Sequence, residues 1–435
     1  MKIHKILLHV LFFYIAFVAM VSGVFAQSPI TSPYSRFGIG ELASQYNLRS
    51  SAMGGISQGI VGSTGINFAN SASYAAFDSL SFLFDIAVTG TYNTLRSDTE
   101  KSRTSTAAIN YINMGMPITK RWHTAFGLIP ISAVGYNIYG ITEPKELPEG
   151  GNATGREFRF FTGDGSFNKV FWGNSFKISE SVAIGLNAGY MFGNSDYTRT
   201  LSYDTLYVLT AKITNRVYVN GFTFEPSLQY HISLSNKDKI VVGATYHIQK
   251  NIKAENDFLV RSMIGGEGNN PGAYPDTLKQ DVISGKLKLP TTLKTGFTYA
   301  RPEKFVVGAD FNWTNWSQYE LLGQNDNLSN TWGVSIGGEF IPNSRPSAKY
   351  FQKTTYRVGF KTQQNMLVFD DEKINLYAFT FGMGLPLPRS KTMINLFFET
   401  GTKGKTTPPL IQENYFKIGV GLSLYEMWFY KRQYK

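Results

Sequence analysis

The stretch FKIGVGLSLYEMWF at 416–429 alternates strictly. Phe416, Ile418, Val420, Leu422 and Leu424 fall on one face, and Lys417, Gly419, Gly421 and Ser423 on the other. A period of two places successive side chains on opposite faces of an extended strand. The pattern recurs in FLFDIAVTGTYNTL (82–95), TAAINYINMGM (106–116) and VAIGLNAGYMFG (182–193). Fourteen strands are expected, near 81–97, 104–117, 121–139, 156–177, 180–203, 214–234, 238–260, 281–300, 304–322, 329–341, 353–366, 373–386, 391–402 and 413–429. A soluble sandwich alternates in the same way, so the pattern alone does not choose between a sandwich and a barrel.

The connections narrow the choice. Joins after even-numbered strands are mostly tight, as in ITKRW (118–122), KISES (177–181), ARPEK (300–304) and LPRSK (387–391). Joins after odd-numbered strands are expected to be longer and more polar, as in ITEPKELPEGGNATG (141–155) and the stretch 260–280. IPNSRPSAKYFQK (341–353) is an exception, long for its side. Short turns at one end and long loops at the other fit a transmembrane barrel, with the turns in the periplasm. Composition agrees. Aromatics make up 15% of the chain and there are 42 Gly, whereas only 17% of residues are charged, against roughly 25% in soluble domains.

The N-terminus gives the compartment. Lys2 and Lys5 precede the apolar run ILLHVLFFYIAFVAMV (6–21), and Val24-Phe25-Ala26 has small residues where a signal peptidase reads. Residues 1–26 therefore read as a secretory leader, with an uncleaved membrane anchor as the alternative. The chain has no Cys, which excludes disulfides, thiolate metal sites and a lipidated cysteine. The formal charge of +11 becomes +9 without Lys2 and Lys5. Its bases are scattered, so acidic lipid headgroups rather than nucleic acid are the expected partner. These features place the chain in a Gram-negative outer membrane as a multi-pass barrel.

Fourteen strands enclose more space than their own side chains fill, so something must occupy the lumen. Residues 27–79 are the one sizeable stretch outside the strands. SPYSRFGIGEL (32–42), LRSSAMGGISQGI (48–60) and GINFANSASYAAFD (65–78) read as turns and short helices of small, weakly charged residues. The expected organisation is an all-β transmembrane antiparallel barrel over 80–435, with 27–79 as a hatch inside it. A periplasmic tail is the alternative for that segment.

Enzymatic and metal chemistry find little support. The mature chain has three His, at 123, 231 and 247, none close to another in sequence, and its two GxSxG-form stretches, GISQG (55–59) and GVSIG (333–337), fall in the turn-rich segment and inside an expected strand, not at a strand-to-helix elbow. A catalytic triad or a zinc site needs such groups to converge. GGEGNNPG (265–272) lacks the strand-to-helix setting of a phosphate loop. No enzyme activity, cofactor or metal is expected. The polar-x-Gly-x-x-apolar-x-apolar series Lys417, Gly419, Leu422 and Leu424 has the form of a final strand read by barrel assembly machinery, and Trp428 suits an interfacial aromatic girdle. Trp313 and Trp316 should point to opposite faces, either as belt anchors or with one lining a ligand path.

The chain also resembles the FadL-type outer-membrane transporters of long-chain fatty acids and other hydrophobic compounds. Ala52-Met53-Gly54-Gly55 followed by Asn70-Ser71-Ala72-Ser73 is similar to that family's Gly-rich and Asn-Pro-Ala hatch segments, with Ser71 in place of the Pro. Leu289, Pro290, Gly296, Trp313, Trp316 and Ser317 match its LP…GF and W…WS strands, and TYRVGF (355–360) another strand. The resemblance implies passive uptake of a hydrophobic small molecule through a pocket above a hatch and a lateral opening in the wall. Phe68, Asn70, Ser71, Ala72, Gly54 and Gly55 would then belong to the gating hatch. Pro130, between Gly127 and Gly135, would mark the inward kink beside the opening, or else an ordinary bulge. FadL-like barrels also occur as non-transporting, partner-binding subunits of outer-membrane secretion or assembly complexes, and that alternative stays open. A continuous apolar pocket would favour transport; a lumen filled with polar side chains would favour the subunit.

Overall fold

In the computed structural model the described residues are 30–142, 156–203, 209–234, 238–248, 251–264 and 273–428. The expected leader, the tips of the loops near 143–155 and 265–272, and the C-terminal residues 429–435 lie outside them. The alternating stretches form fourteen antiparallel strands, which we number in order. They are β1 Ser81–Arg96, β2 Lys101–Pro117, β3 Trp122–Thr142, β4 Glu157–Lys177, β5 Val182–Tyr203 and β6 Thr210–Ser233. β7 comprises Lys239–His247 and Asn251–Ile264, and β8 comprises Ala273–Lys288 and Thr291–Arg301. The series ends with β9 Phe305–Asn315, β10 Thr331–Phe340, β11 Thr355–Phe369, β12 Glu372–Pro386, β13 Met393–Lys403 and β14 Gln412–Met427.

Each strand pairs with its sequence neighbours, and β14 pairs with β1 from Gln412↔Arg96 to Met427↔Ser81, which closes the sheet. Closure leaves no edge at the seam, as the bilayer requires. β7 and β8 are interrupted side by side, and both halves keep their pairing across the break. Pro290 sits at the interruption in β8, where a missing N–H does no harm to a ladder already broken. β5 and β6, with 22 and 24 residues, exceed the roughly 9–11 that cross a bilayer. Their sheet therefore continues beyond the membrane on the outer side.

The alternation sorts side chains as its period demands. Phe416, Ile418 and Val420 are exposed on the outer wall, whereas Gly419 and Gly421 lie under Leu48 of the N-terminal segment. At the periplasmic end, Trp428 stacks on Phe82 with centroids 4.1 Å apart, and Phe126 on Trp172 at 6.1 Å. Such rings suit the interfacial belt.

Three details differ from the sequence reading. Two outer connections are tight: 97–100, and the two-residue turn Asp370-Asp371, where both residues have positive φ (48° and 64°) as a primed hairpin turn requires. The ninth strand ends at Asn315, not near 322. Trp316 instead begins a one-turn helix, Trp316–Gln318, that carries its ring into the lumen at 3% exposure. β8 begins at Ala273 rather than near 281, and the connection 341–354, expected to be long, holds a short helix, Tyr350–Lys353.

The segment that precedes β1 is tied to the barrel's inner end by Asp78. Its carboxylate accepts from Lys391 Nζ at 2.6 Å, in the β12–β13 turn, and from the Tyr425 hydroxyl at 2.9 Å. Partial burial pushes the Asp78 pKa up, but these two bonds outweigh it and hold the group below its ordinary 3.8. A depressed carboxylate stabilises the fold above its unfolded value, and that contribution disappears as pH falls through the lower folded value. The pair is partly exposed, so screening limits it to within about 1 kcal/mol. Thermal unfolding followed from pH 6 to pH 2 should show Asp78→Asn equal to wild type at the acid end and less stable above about pH 4.

Candidate functional site in the barrel lumen

Residues 30–80 run down the inside of the barrel. Asn47 caps the short helix Leu48–Ser51 by accepting from Ser50 N at 2.9 Å. Gly54 and Gly55 then turn the chain with φ of 72° and 94°. An added Cβ at Gly54 would stand 2.7 Å from the Phe360 carbonyl oxygen, and one at Gly55 3.0 Å from the Tyr46 ring. Only glycine meets both the backbone angle and the close approach. Met53, Ile56 and Ile60 are fully or almost fully buried beneath this turn, each contributing roughly 1.5–3 kcal/mol.

Polar bonds tie this segment to nearly every strand. Leu48 N donates to the Tyr111 hydroxyl of β2 at 3.1 Å, and Ser175 Oγ of β4 donates to Ala72 O at 3.1 Å. Asn187 of β5 donates to Phe68 O at 3.0 Å, and Tyr74 donates back to Asn187 at 3.2 Å. Thr245 of β7 donates to Gln58 Oε1 at 2.8 Å, and Thr298 of β8 to Gly59 O at 2.6 Å. Asp310 of β9 accepts from Ser57 N at 2.7 Å and Gln58 N at 3.0 Å, and Gly54 N donates to Thr380 of β12 at 2.8 Å. Arg49 and Arg357 share the Glu339 carboxylate of β10, at 2.5 and 3.1 Å. Burial alone would lower the Arg49 pKa, but Glu339 more than offsets this and raises it.

The residues singled out from the sequence converge here. Asn70 is fully buried. Its side chain accepts from Ala72 N and donates to Gln58 O, both at 3.0 Å. Ser71 Oγ and Ser227 Oγ of β6 lie 2.6 Å apart, and Ala72 N donates to the same Ser227 at 2.9 Å. Phe68 packs on Tyr111, with centroids 5.4 Å apart. Gly127, Pro130 and Gly135 lie in β3, where the wall is irregular. The β2–β3 ladder runs only from Pro117↔His123 to Ile112↔Leu128. Beyond Leu128, β3 turns inward and pairs instead with the N-terminal segment, Glu41↔Ala133 and Leu42↔Ser132. The β3–β4 register slips between Pro130 and Ser132, and Ser32 N donates to Gly135 O at 2.8 Å. A notch in the outer half of the wall results, backed from inside by residues 39–45. Trp316 lies on the lumenal side, whereas Trp313 pairs in register with Trp332 in the wall. Gly419 seats Leu48, and Leu422 and Leu424 pair with Ile86 and Phe84.

Above the segment is a cavity of about 310 Å³. Sequence reading missed its character. Five lysines, at 169, 294, 361, 403 and 417, line it together with Glu41, Glu225, Glu399 and His247. Lys361 pairs with Glu399 at 2.7 Å, Lys169 with Glu225, and Lys403 with Glu41, while His247 Nδ1 stands 3.4 Å from Glu225. Lys294 pairs with no carboxylate among the described residues and sits 5.5 Å from the Tyr46 ring centroid. A signal was present for part of the set, because Lys417 falls at an inward position of an apolar alternation, between Phe416 and Ile418.

A closed fourteen-strand antiparallel barrel with an apolar outer wall and an occupied lumen is a Gram-negative outer-membrane β-barrel protein of FadL-type architecture. The family model described as BamG matches residues 3–435, and the chain belongs to that family. Its fold is similar to that of a Pseudomonas aeruginosa FadL homologue, at 12% identity and a TM-score of 0.60, covering 90% of this chain and 100% of that one. The Pseudomonas putida toluene transporter TodX gives 15% identity, a TM-score of 0.57 and coverages of 90% and 100%. For the Ralstonia pickettii toluene transporter TbuX the values are 13%, 0.57, 87% and 98%. No curated protein matches the chain.

Replacing Glu339 by Gln leaves Arg49 and Arg357 buried without their counter-ion, which costs on the order of 3–5 kcal/mol. Ser71→Ala removes one neutral bond, worth about 1 kcal/mol. Thermal unfolding of the detergent-solubilised barrel should rank wild type above Ser71→Ala and Ser71→Ala well above Glu339→Gln.

Proposed function

We propose that this chain serves as a partner-binding component of an outer-membrane assembly complex, with residues 27–79 acting as a hatch that keeps the barrel shut. One observation carries the reading. The space above the hatch has apolar walls such as Ile131, Met191, Leu289, Trp316 and Met366, but five lysines, three glutamates and a histidine stand among them, so charged pairs interrupt the apolar lining. Paired charges stay in place because separating them in a partly buried lumen leaves each uncompensated. Family membership points the same way, since the name BamG suggests a relation to barrel assembly. Ser71 adds to it. A proline could not supply the hydroxyl that meets Ser227 at 2.6 Å, so this hatch carries a tether that the Asn-Pro-Ala form lacks.

A second reading is favoured by the notch between β2 and β3. Hydrophobic small molecules would enter from outside, displace Ile39–Gln45 and leave sideways through the wall by passive diffusion, as the toluene-transporter neighbours suggest. Pro130 would mark the kink beside that exit, and Phe68, Asn70, Gly54 and Gly55 would gate it.

Native purification in mild detergent, with mass spectrometry of all co-eluting species, separates the two. A stoichiometric outer-membrane protein partner and a barrel free of apolar ligand are expected. An apolar small molecule that co-purifies with the wild type, and is lost from a Phe68→Ala/Asn70→Ala variant that still folds, would replace the assembly reading with the transport one.

A further inference from the structure

The outer wall carries a second concavity, unrelated to the lumen. At the periplasmic ends of β9, β10 and β11 there is a groove of about 710 Å³ lined by Val307, Ile336, Gly338, Phe340, Tyr356 and Val358. A Cβ at Gly338 would stand 2.6 Å from the Val306 carbonyl oxygen and 3.0 Å from Val307 Cγ1, so the floor there holds no side chain. Val307, Ile336, Phe340 and Val358 are exposed around it, Val358 at 63%. The groove runs into the one long periplasmic connection, 341–354. The Tyr356 hydroxyl on its wall donates to Phe351 O at 3.1 Å, and Ile341 N donates to Lys304 O at 2.8 Å. That connection carries Arg345, Lys349 and Lys353 and no acidic residue. Tyr350 and Phe351, exposed at 45% and 73%, flank these cations.

An apolar slot beside a connection whose charged residues are all basic has the complementarity of one kind of molecule. We propose that it binds a single anionic phospholipid of the periplasmic leaflet, with an acyl chain along the Gly338 floor and the phosphate against Arg345 and Lys349. The surrounding lipid is as apolar as the slot, so hydrophobicity does not draw the chain in. Close packing over the glycine floor and attraction of the headgroup to the cations supply the preference.

The test uses the full-length protein in mild detergent. It is titrated with phosphatidylglycerol or with phosphatidylethanolamine of identical acyl chains, and retained lipid is read by native mass spectrometry. One phosphatidylglycerol should be retained at a concentration at least ten-fold lower than phosphatidylethanolamine. Arg345→Gln/Lys349→Gln should bring phosphatidylglycerol to the phosphatidylethanolamine level. Val358→Trp, which fills the slot from an outward and exposed position, should abolish retention of both, with heat-modifiable mobility showing that the barrel remains folded. Equal retention of the two lipids by wild type, or indifference of phosphatidylglycerol to either variant, would overturn the proposal. A dimer that Val358→Trp dissociates would overturn it too, by giving the slot to a second copy of the chain.

Discussion

In hydrocarbon no water satisfies an unpaired peptide group, so a chain that crosses the bilayer as strands must close its sheet. Here the closing ladder is as complete as any other, sixteen residues of β14 against sixteen of β1. Everything else depends on it. Closure fixes which face of each strand sees lipid, and so turns a period of two into an apolar outer wall and an inner face where polar groups mix with buried apolar clusters. It also fixes the bore, which at fourteen strands is too wide to fill from the wall alone. The N-terminal segment answers that excess volume, and its small residues let it lie against wall glycines such as Gly337 and Gly359, where a Cβ would come within 2.2 Å of Met53 or Gly54 backbone.

The longest lapse in the ladder among the described residues lies between β2 and β3. Above Leu128, β3 trades its wall neighbour for Glu41 and Leu42 of the N-terminal segment. Between Ile131 and Gly135 its backbone bonds are kept by substitution, with Ala43 N donating to Ile131 O at 2.9 Å and Ser32 N to Gly135 O at 2.8 Å. The substitution couples wall and interior, because the residues that complete β3 also border the cavity. Moving them exposes the edge of β3, and that linkage makes the interior segment part of the wall's own hydrogen bonding.

The strands were legible because their signal is local. A two-residue period and a turn composition need no knowledge of distant partners, and all fourteen expected strands are present, although β8 begins at Ala273 rather than near 281 and β9 ends at Asn315 rather than near 322. The ends were harder. Trp316 leaves the strand because its ring is buried against Tyr319 and the cavity wall, a tertiary choice that strand propensity cannot anticipate. The lumenal charge network was read only in pieces. Lys417 announced an inward lysine, but its proximity to Glu399, 3.9 Å away, depends on the register between β13 and β14. Asn70 and Ser71 could be singled out by resemblance, whereas their partners Gln58 and Ser227 follow from how the segment threads the barrel.

The bonds of the N-terminal segment carry a consequence for the order of assembly. Its partners run from Tyr111 to Thr380, and higher up Ser32 reaches Glu413 at 2.6 Å. Residues 30–80 therefore have no complete set of contacts until the sheet is nearly closed. Those bonds wait for the strands to come together. A sequence rich in Ser, Ala and Gly, with few charges and no long apolar run, is suited to that wait. It neither collapses on itself nor competes for the strands, and it settles as the last piece of a container built around it.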